Sequence, residues 1–325
     1  MATQRVYRIV LGVLTGVLVF FSSGTPAAQT FPTKPVRIIV PNPTGGASDL
    51  LARLLGKELA EKWGQTVIVE NKPGASGSIG ATYVAKSEPD GHTLLVLDAS
   101  SLTVTPLILA KPDYQPLRDL IPVGIAAYSP HVLAVRKDLP VNDLEELIAY
   151  GKANPAQLNF GQTPGTITHL AGVWLARDAG FEWAYIGYKG TGAVLTDLGG
   201  GHIDAAMNSY LSTFPHAKAG NLKMIAIGSA TRFSQAPELP AIAETLPGFE
   251  SGSWQGVFAP VDTPESVVAQ LNRDIYEVAS RPEIQKRYQE LGSERVDMAS
   301  ADILKKLQAD TVFWQKILDA APESK

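Results

Sequence analysis

The chain has 325 residues, 45% of them apolar and 18% charged, which is typical of a globular protein with one large or two smaller domains. Cysteine is absent, which excludes disulfides, cysteine nucleophiles, iron–sulfur clusters and zinc sites with thiolate ligands. The formal net charge of −4 argues against the basic surface that binds nucleic acid, so no nucleic-acid partner is predicted.

The first 28 residues have the composition of a secretory signal peptide. Arg5 and Arg8 precede a largely apolar stretch at residues 9–21, and small residues follow it up to Ala28. The apolar stretch is shorter than the roughly 20 residues that span a bilayer, so a retained membrane anchor is the less favoured alternative. Cleavage after Ala27 or Ala28 would leave an exported protein, and the lack of cysteine excludes a lipoprotein.

Strands and helices alternate from residue 36 onward, with glycine-rich loops between them. Short β-branched stretches are followed by small polar residues and then by stretches with apolar residues at helical spacing. This alternation predicts a mostly parallel α/β sheet. The first predicted elements are, in order, strand 36–40, helix 49–63 ended by Gly64, strand 67–69, helix 79–86 and strand 93–97.

A second series of the same units begins after Tyr128. Asn142 and Glu145 have the spacing of a capping box, which predicts a helix that continues to Lys152. The two series predict two α/β lobes with a ligand cleft between them, lobe 1 from residues 29–127 plus 229–325 and lobe 2 from residues 128–228. The later predicted elements are strands 158–160, 183–187 and 203–207, helices ending near Arg177 and Gly199, and helices from Pro264, at 283–291 and at 302–318.

Four loops that follow predicted strands are the candidate binding site: the first loop (residues 42–48), the second (72–78), the third (161–168) and the fourth (188–192). In open parallel sheets, ligands bind beyond the carboxyl ends of the strands, where helix N-termini present unpaired N–H groups. The loops contain mainly small and polar residues, with Lys72 and Lys189 as their only cations. They therefore predict a cleft that holds a small anion, with each helix end contributing about 0.3 to 1 kcal/mol.

Catalytic and metal-binding motifs are missing from the sequence. The dinucleotide, nucleophile-elbow, phosphate-loop and H-E-x-x-H patterns do not occur, and the histidines are scattered singly. Asp49 and Arg53 are spaced i, i+4 and predict a helix cap with a salt bridge. We therefore expect a protein that is not an enzyme and needs no cofactor or metal. A secreted α/β hydrolase is the least favoured alternative, because no Ser-His-acid set can be assigned.

Several motifs are those of a known family. They include Gly45-Gly46-Ala47-Ser48-Asp49, Val-Glu-Asn-Lys-Pro-Gly-Ala-Ser-Gly at 69–77, Thr168-His169-Leu170-Ala171-Gly172 and Tyr188-Lys189-Gly190, in the expected order. The sequence resembles the Bug family, the periplasmic receptors of tripartite tricarboxylate transporters. The resemblance implies a type II periplasmic-binding-protein fold that closes on one organic acid and works with the membrane subunits of the transporter. It also implies a monomer in the periplasm; a receptor that signals through a sensor protein is the alternative.

The resemblance also implies which residues contact the ligand. They lie in the four loops, after the strand at 93–97 and after the strand at 203–207. The predicted ligand-binding residues are Asn42, Thr44, Gly45, Gly46, Ser48, Gly74, Ala75, Ser76, Ser100, Ser101, Gln162, Thr163, Gly165, Thr166, Thr168, His169, Tyr188, Lys189 and Asn208.

Two departures from the family pattern bear on the ligand. Asn208 stands where an aspartate is frequent, and Asp98 stands where a threonine is usual. The missing acid at 208 favours a plain carboxylate, such as a dicarboxylate or an aromatic acid, over an amino acid. Whether Asp98 and Asn208 contact the ligand is left open. A bulkier residue at Gly45 or Gly165 is expected to abolish binding and to leave the fold intact.

Overall fold

The computed structural model describes residues 31–108 and 115–319. Within these ranges, the residues from Lys34 onward form one compact unit. The predicted signal peptide lies outside the described residues. Among the helices within those two described ranges, none is both long and apolar enough to cross a membrane.

The elements alternate as the sequence predicts through most of the chain. The strands are β1 (Val36–Val40), β2 (Val67–Asn71), β3 (Thr93–Asp98), β4 (Leu120–Arg136), β5 (Asn159–Gln162), β6 (Ala184–Gly187), β7 (Ala205–Ser209), β8 (Leu222–Ile227) and β9 (Gly252–Pro260). The helices are α1 (Ala47–Trp63), α2 (Ser78–Ala85), α3 (Ser100–Thr103), α4 (Thr105–Ile108), α5 (Pro116–Asp119), α6 (Leu144–Ala153), α7 (Ile167–Ala179), α8 (Thr191–Gly199), α9 (Tyr210–Lys218), α10 (Ile242–Thr245), α11 (Glu265–Ala279), α12 (Pro282–Glu290) and α13 (Ser300–Asp319).

The sheet is mixed, and the prediction of a mostly parallel sheet is wrong at its centre. The strand order is β2-β1-β3-β9-β4-β7-β5-β6, with β8 also paired to β4. β1 is parallel to β2 and β3, and β5 is parallel to β6 and β7. The pairings of β9 with β3 and β4, and of β4 with β7 and β8, are antiparallel. Each half is therefore a parallel unit of the predicted kind, and antiparallel strands join the halves.

Strand β4 passes through both halves of the sheet. Its residues 120–130 pair with β9, whereas residues 131–136 pair with β7 and β8. Buried residues around Ile39 and Phe258 form the core of the first half, and a second core surrounds Leu133 and Phe160. The protein thus has the two-lobed α/β fold expected from the sequence, with a 17-residue strand as the shared element.

The last third of the chain packs on both halves. Phe233 packs against Val132 and Tyr210 of the second half, although residues 229–325 are predicted to belong to lobe 1. In α13, Leu307 lies in the core of the first half and Trp314 lies in the core of the second. The predicted lobe boundaries stay a prediction, and α13 connects the two cores.

Local signals set most element ends. Gly64 follows α1 in the left-handed conformation, with φ 61°, as predicted. The N-cap residue of α6 is Asp143, one residue later than predicted, and its carboxylate accepts the Glu146 N–H at 2.8 Å. The Glu146 carboxylate in turn accepts the N–H of Asn142 at 2.7 Å. The Asn142 and Glu145 assignment is therefore wrong by one position, since Asn142 contributes its backbone N–H.

His131 is expected to make the fold sensitive to acid. Its ring is buried in β4, its Nδ1 lies 2.7 Å from the Ser251 hydroxyl, and burial lowers its pKa to about 4. An unfolded histidine titrates near pH 6.5, so between these values the unfolded chain binds the proton more readily. The contribution of His131 to stability is thus constant above about pH 6.5 and falls by up to roughly 3 kcal/mol toward pH 4.

Urea unfolding at pH 7 and about pH 4.5 checks this expectation. His131→Asn should lose less stability between the two pH values than the native chain. His202→Asn, at an exposed position, is the control and should keep the native pH dependence. Equal pH dependence in all three proteins would contradict the assignment to His131.

Candidate functional site

The first loop leads into an open helix N-terminus. Residues 42–47 are exposed after β1, and α1 begins at Ala47 with Gly46 at the N-cap. The first N–H groups of a helix have no intrahelical acceptor, and a glycine has no side chain to supply one. Gly45 has φ 89°, a left-handed conformation that favours glycine. This end of α1 can therefore donate backbone hydrogen bonds to an anion.

A buried carboxylate holds the first loop in place. Asp49 accepts the Gly45 N–H at 2.9 Å, and it bonds to Arg53 and to the Asn71 amide at 2.9 Å. Burial alone would raise the pKa of Asp49, but these hydrogen bonds outweigh it and lower the pKa. The predicted cap and salt bridge between Asp49 and Arg53 are confirmed. The Asn71 amide also donates to the carbonyl of Asn42 at 3.1 Å, which ties β2 to the loop.

A polar cluster lies at the carboxyl end of β3. The Ser48 hydroxyl donates to Gln255 Oε1 at 2.7 Å, and Gln255 Nε2 donates to the Ser253 hydroxyl at 2.8 Å. Asp98 accepts the N–H of Ser100 at 2.8 Å, and it also accepts hydrogen bonds from Ser253 and Gln255. Burial raises the pKa of Asp98 against the opposing effect of these donors. We call Ser48, Asp98, Ser100, Ser253 and Gln255 the β3-end cluster.

The second loop folds tightly between β2 and α2. Residues Ala75–Gly77, which include the predicted Ser76, form a 3-10 turn that is closed by the Gly77 N–H on the Gly74 carbonyl at 3.0 Å. Lys72 lies 3.6 Å from Glu70 and its ammonium is 4.5 Å from the centre of the Tyr83 ring. This cation is therefore already paired with protein groups.

The third loop largely bonds to itself. The Thr166 hydroxyl caps α7 by accepting the His169 N–H at 3.3 Å, and it donates to the Thr163 carbonyl at 2.8 Å. It also lies 2.9 Å from the Thr168 hydroxyl. His169 Nδ1 accepts the Gly165 N–H at 3.3 Å, so the ring proton is on Nε2. Burial lowers the pKa of His169 and so favours the neutral ring.

The fourth loop contains a second open helix end and an exposed cation. Gly190 is the N-cap residue of α8 and, like Gly46, has no side chain that could cap the helix. The Tyr188 hydroxyl donates to Asp197 at 2.7 Å, and its pKa is raised to about 12 by burial and by this carboxylate. Lys189 is exposed and forms no ion pair with any residue in the described ranges.

The two predicted amides near the ends of β5 and β7 are buried. Gln162 is 4% exposed and Asn208 is 3% exposed. Gln162 Oε1 and Asn208 Nδ2 have no hydrogen-bond partner among the described residues. Because side chains alternate along strands, Gln162 lies on the face of Phe160, whereas Asn208 lies on the opposite face with Ala206. The two amides therefore lie on opposite faces of the sheet.

The loops of the two halves come into contact. A Cβ atom built on Gly165 would lie 3.2 Å from the Ile108 Cδ1 atom of α4. The third loop of the second half thus closes against a short helix of the first half. In the strand order, the first and second loops, Ser100 and Ser101 follow strands on one side of β9 and β4, and the third and fourth loops follow strands on the other side.

Comparison with known proteins identifies the family. Residues 51–321 match the TctC family, described as "Tripartite tricarboxylate transporter family receptor". The chain belongs to this receptor family. The receptor is 35% identical over 94% of its length to a Pseudomonas sp. strain P51 protein, "UPF0065 protein in tcbD-tcbE intergenic region", of which it covers 93%.

Two solved structures of related proteins contain dicarboxylates. One, from R. palustris with adipate, is 32% identical with a TM-score of 0.75, over 89% of the receptor and 98% of that chain. The other is MatC from Rhodopseudomonas palustris with bound malate, 31% identical with a TM-score of 0.71, over 89% of the receptor and 100% of that chain. These similarities show that the receptor has the fold of this class of solute-binding protein.

Three polar residues of the receptor's site were missed by sequence reasoning. Asn71 organises the first loop, and Ser253 and Gln255 form the β3-end cluster. Asn71 is the last residue of β2, a position that could have been recognised as part of the site. Ser253 and Gln255 lie about 150 residues away in sequence from Asp98 and reach it only because β9 pairs with β3.

Asn71→Ala is expected to weaken ligand binding by about 10-fold, because the first loop loses bonds to Asn42 and Asp49. Calorimetric titration measures the affinity, and thermal unfolding shows whether the fold is kept. Asn154→Ala is the control, since its amide donates to the Tyr150 carbonyl at the end of α6, away from the four loops. Equal affinities for native chain and Asn71→Ala would show that the loop holds its shape without this amide.

Proposed function

We propose that the receptor is exported to the periplasm, binds one small organic carboxylate between its two lobes and delivers it to the membrane subunits of a tripartite tricarboxylate transporter. The open N-terminus of α1, with glycine at positions 45 and 46, is the observation that carries the proposal. Backbone N–H groups there would bond to the carboxylate and the helix dipole would favour its charge. The adipate and malate seen in the two related structures support the same ligand class.

The other half would complete the site from its loops. Lys189 supplies a cation without an ion-pair partner in the described part of the chain, and Gly190 leaves the end of α8 open. Asn208 adds a buried amide donor. A ligand that bonds to both halves binds the closed form more tightly than the open form, and it shifts the equilibrium by that difference. The shared strand β4 would accommodate the movement.

Thermal unfolding and calorimetry with a panel of organic acids test the proposal. We expect at least one mono- or dicarboxylate to raise the midpoint of unfolding and to bind with one site per chain. Small-angle X-ray scattering should show a more compact protein with that acid. A protein that is stabilised by amino acids alone, or by uncharged sugars alone, would contradict the proposed ligand class.

A further inference from the structure

The β3-end cluster contains a carboxylate that no cation neutralises. The hydrogen-bond donors to Asp98 are the Ser100 N–H, the Ser253 hydroxyl and the Gln255 amide, and all are neutral. Across the described ranges, no lysine, arginine or histidine forms an ion pair with Asp98. Both of its oxygens accept these neutral donors, which favour the charged form and oppose the rise in pKa that burial causes.

This carboxylate is next to the proposed ligand site. Ser48 lies in the first turn of α1, two residues after Gly46, and its hydroxyl bonds to Gln255. Gln255 bonds in turn to Asp98, and the strand pairing places these two residues directly opposite each other. Asp98 thus lies one side chain beyond the helix end that is proposed to hold the ligand carboxylate.

The cluster also uses donors that a second ligand carboxylate would need. The Ser100 N–H at the start of α3, the Ser253 hydroxyl and the Gln255 amide all donate to Asp98. Ser48 donates to the side-chain oxygen of Gln255. A second ligand carboxylate would be repelled by the charge of Asp98. The protein groups that could donate hydrogen bonds to it already donate to Asp98.

We infer that Asp98 is a specificity-determining residue that restricts the receptor to ligands with a single carboxylate and excludes dicarboxylates. This inference rests on the proposed function and narrows it. The ligand's far end is then uncharged, as in an aliphatic or aromatic monoacid. In this respect the receptor differs from the related proteins that were solved with adipate and malate.

Matched pairs of acids test the inference on the native protein. The pairs are hexanoate with adipate, benzoate with terephthalate, and 2-hydroxybutanoate with malate. In the pairs that bind, we expect the monoacid to bind about 10- to 100-fold more tightly than the diacid. At an effective dielectric constant of about 20, repulsion between Asp98 and the diacid's second carboxylate at a separation of about 6 Å would weaken binding by such a factor.

Asp98→Asn removes the charge and keeps the shape. We expect it to bring the two affinities of a pair within about threefold of each other. Asp98→Thr is a second variant, since its hydroxyl can still accept the Ser100 N–H. Asp262→Asn removes an exposed acid elsewhere and should keep the native preference. Thermal unfolding without ligand shows that each variant is folded.

The outcomes separate the inference from the proposed function. If the native protein binds a dicarboxylate as tightly as its monoacid, or if the Asp98 variants keep the native preference, the inference is overturned and the carboxylate receptor stands. If neither these six acids nor any other acid of the panel binds, the proposed function is contradicted and the inference falls with it.

Discussion

A Gly46→Asp variant is expected to lose carboxylate binding by about 100-fold and to become slightly more stable. Gly46 has φ −75° and ψ 168°, a conformation in which aspartate is a favoured N-cap residue. Its carboxylate would accept the open N–H groups of α1 and would complement the helix dipole, which adds about 0.5 to 1 kcal/mol of stability. The same contacts would occupy the proposed position of the ligand and repel its charge.

Calorimetric titration and thermal unfolding measure both effects on the same samples. Gly46→Asn is the matched control, because it caps the helix without a charge and should lose less affinity than Gly46→Asp. A Cβ atom at this position has its nearest described neighbour at 3.7 Å, the carbonyl oxygen of Pro43, so the fold has room for either side chain. Native affinity in Gly46→Asp would show that the ligand does not use this helix end.

The structure also explains why Gly46 is a better position for this test than the two glycines chosen from the sequence. Gly45 has φ 89° and Gly165 has φ 76°, so any larger residue there strains the backbone. At Gly165 a Cβ atom would in addition press on Ile108 at 3.2 Å. Loss of binding at these positions would therefore report on strain as well as on ligand contact.

A Gly228→Ala variant is expected to lose about 3 kcal/mol of stability. A Cβ atom at Gly228 would lie 2.6 Å from the carbonyl oxygen of Ser251 and 3.0 Å from that of His131. Both neighbours are backbone atoms that already form hydrogen bonds. The Ser251 carbonyl accepts the His131 N–H at 3.0 Å, and the His131 carbonyl accepts the Gly228 N–H at 2.7 Å. The backbone must move to make room, at the point where β4 changes its partners.

Urea or thermal unfolding of the ligand-free protein measures this loss. Gly199→Ala is the control, because the nearest atom to its Cβ is the Asn221 Cβ at an ordinary 3.5 Å. Its stability should stay within about 1 kcal/mol of the native value. A Gly228→Ala variant as stable as the native protein would show that the backbone around Gly228 can move apart without loss of stability.

Local structure was predictable where one short segment decides it. Helix α1, its end at Gly64 and the pair Asp49 and Arg53 depend on neighbours in sequence, and the structure contains all of them. Strands β4, β8 and β9 were not predicted, because none of them is part of a strand, glycine loop and helix unit. Their antiparallel pairings join segments that lie far apart in the chain.

The candidate site was predictable as a set of loops but not as a set of contacts. The predicted loops do lie at the carboxyl ends of the strands, and their role in binding stays a prediction. Ser48, Thr166 and His169 are already bonded to protein partners, which their residue types could not indicate. Whether a polar group is free for a ligand depends on what the fold places next to it.

The sequence by itself determined the family and the alternation of strands and helices. It also showed few cations in the loops, from which we predict that helix ends hold the anion. The tertiary structure decided which helix ends stay open and how the two halves are joined. It also placed Asp98 beside Ser253 and Gln255. Local signals act within a few residues, whereas strand pairing brings together groups that are distant in sequence, and the charge beside the proposed ligand site arises from such a pairing.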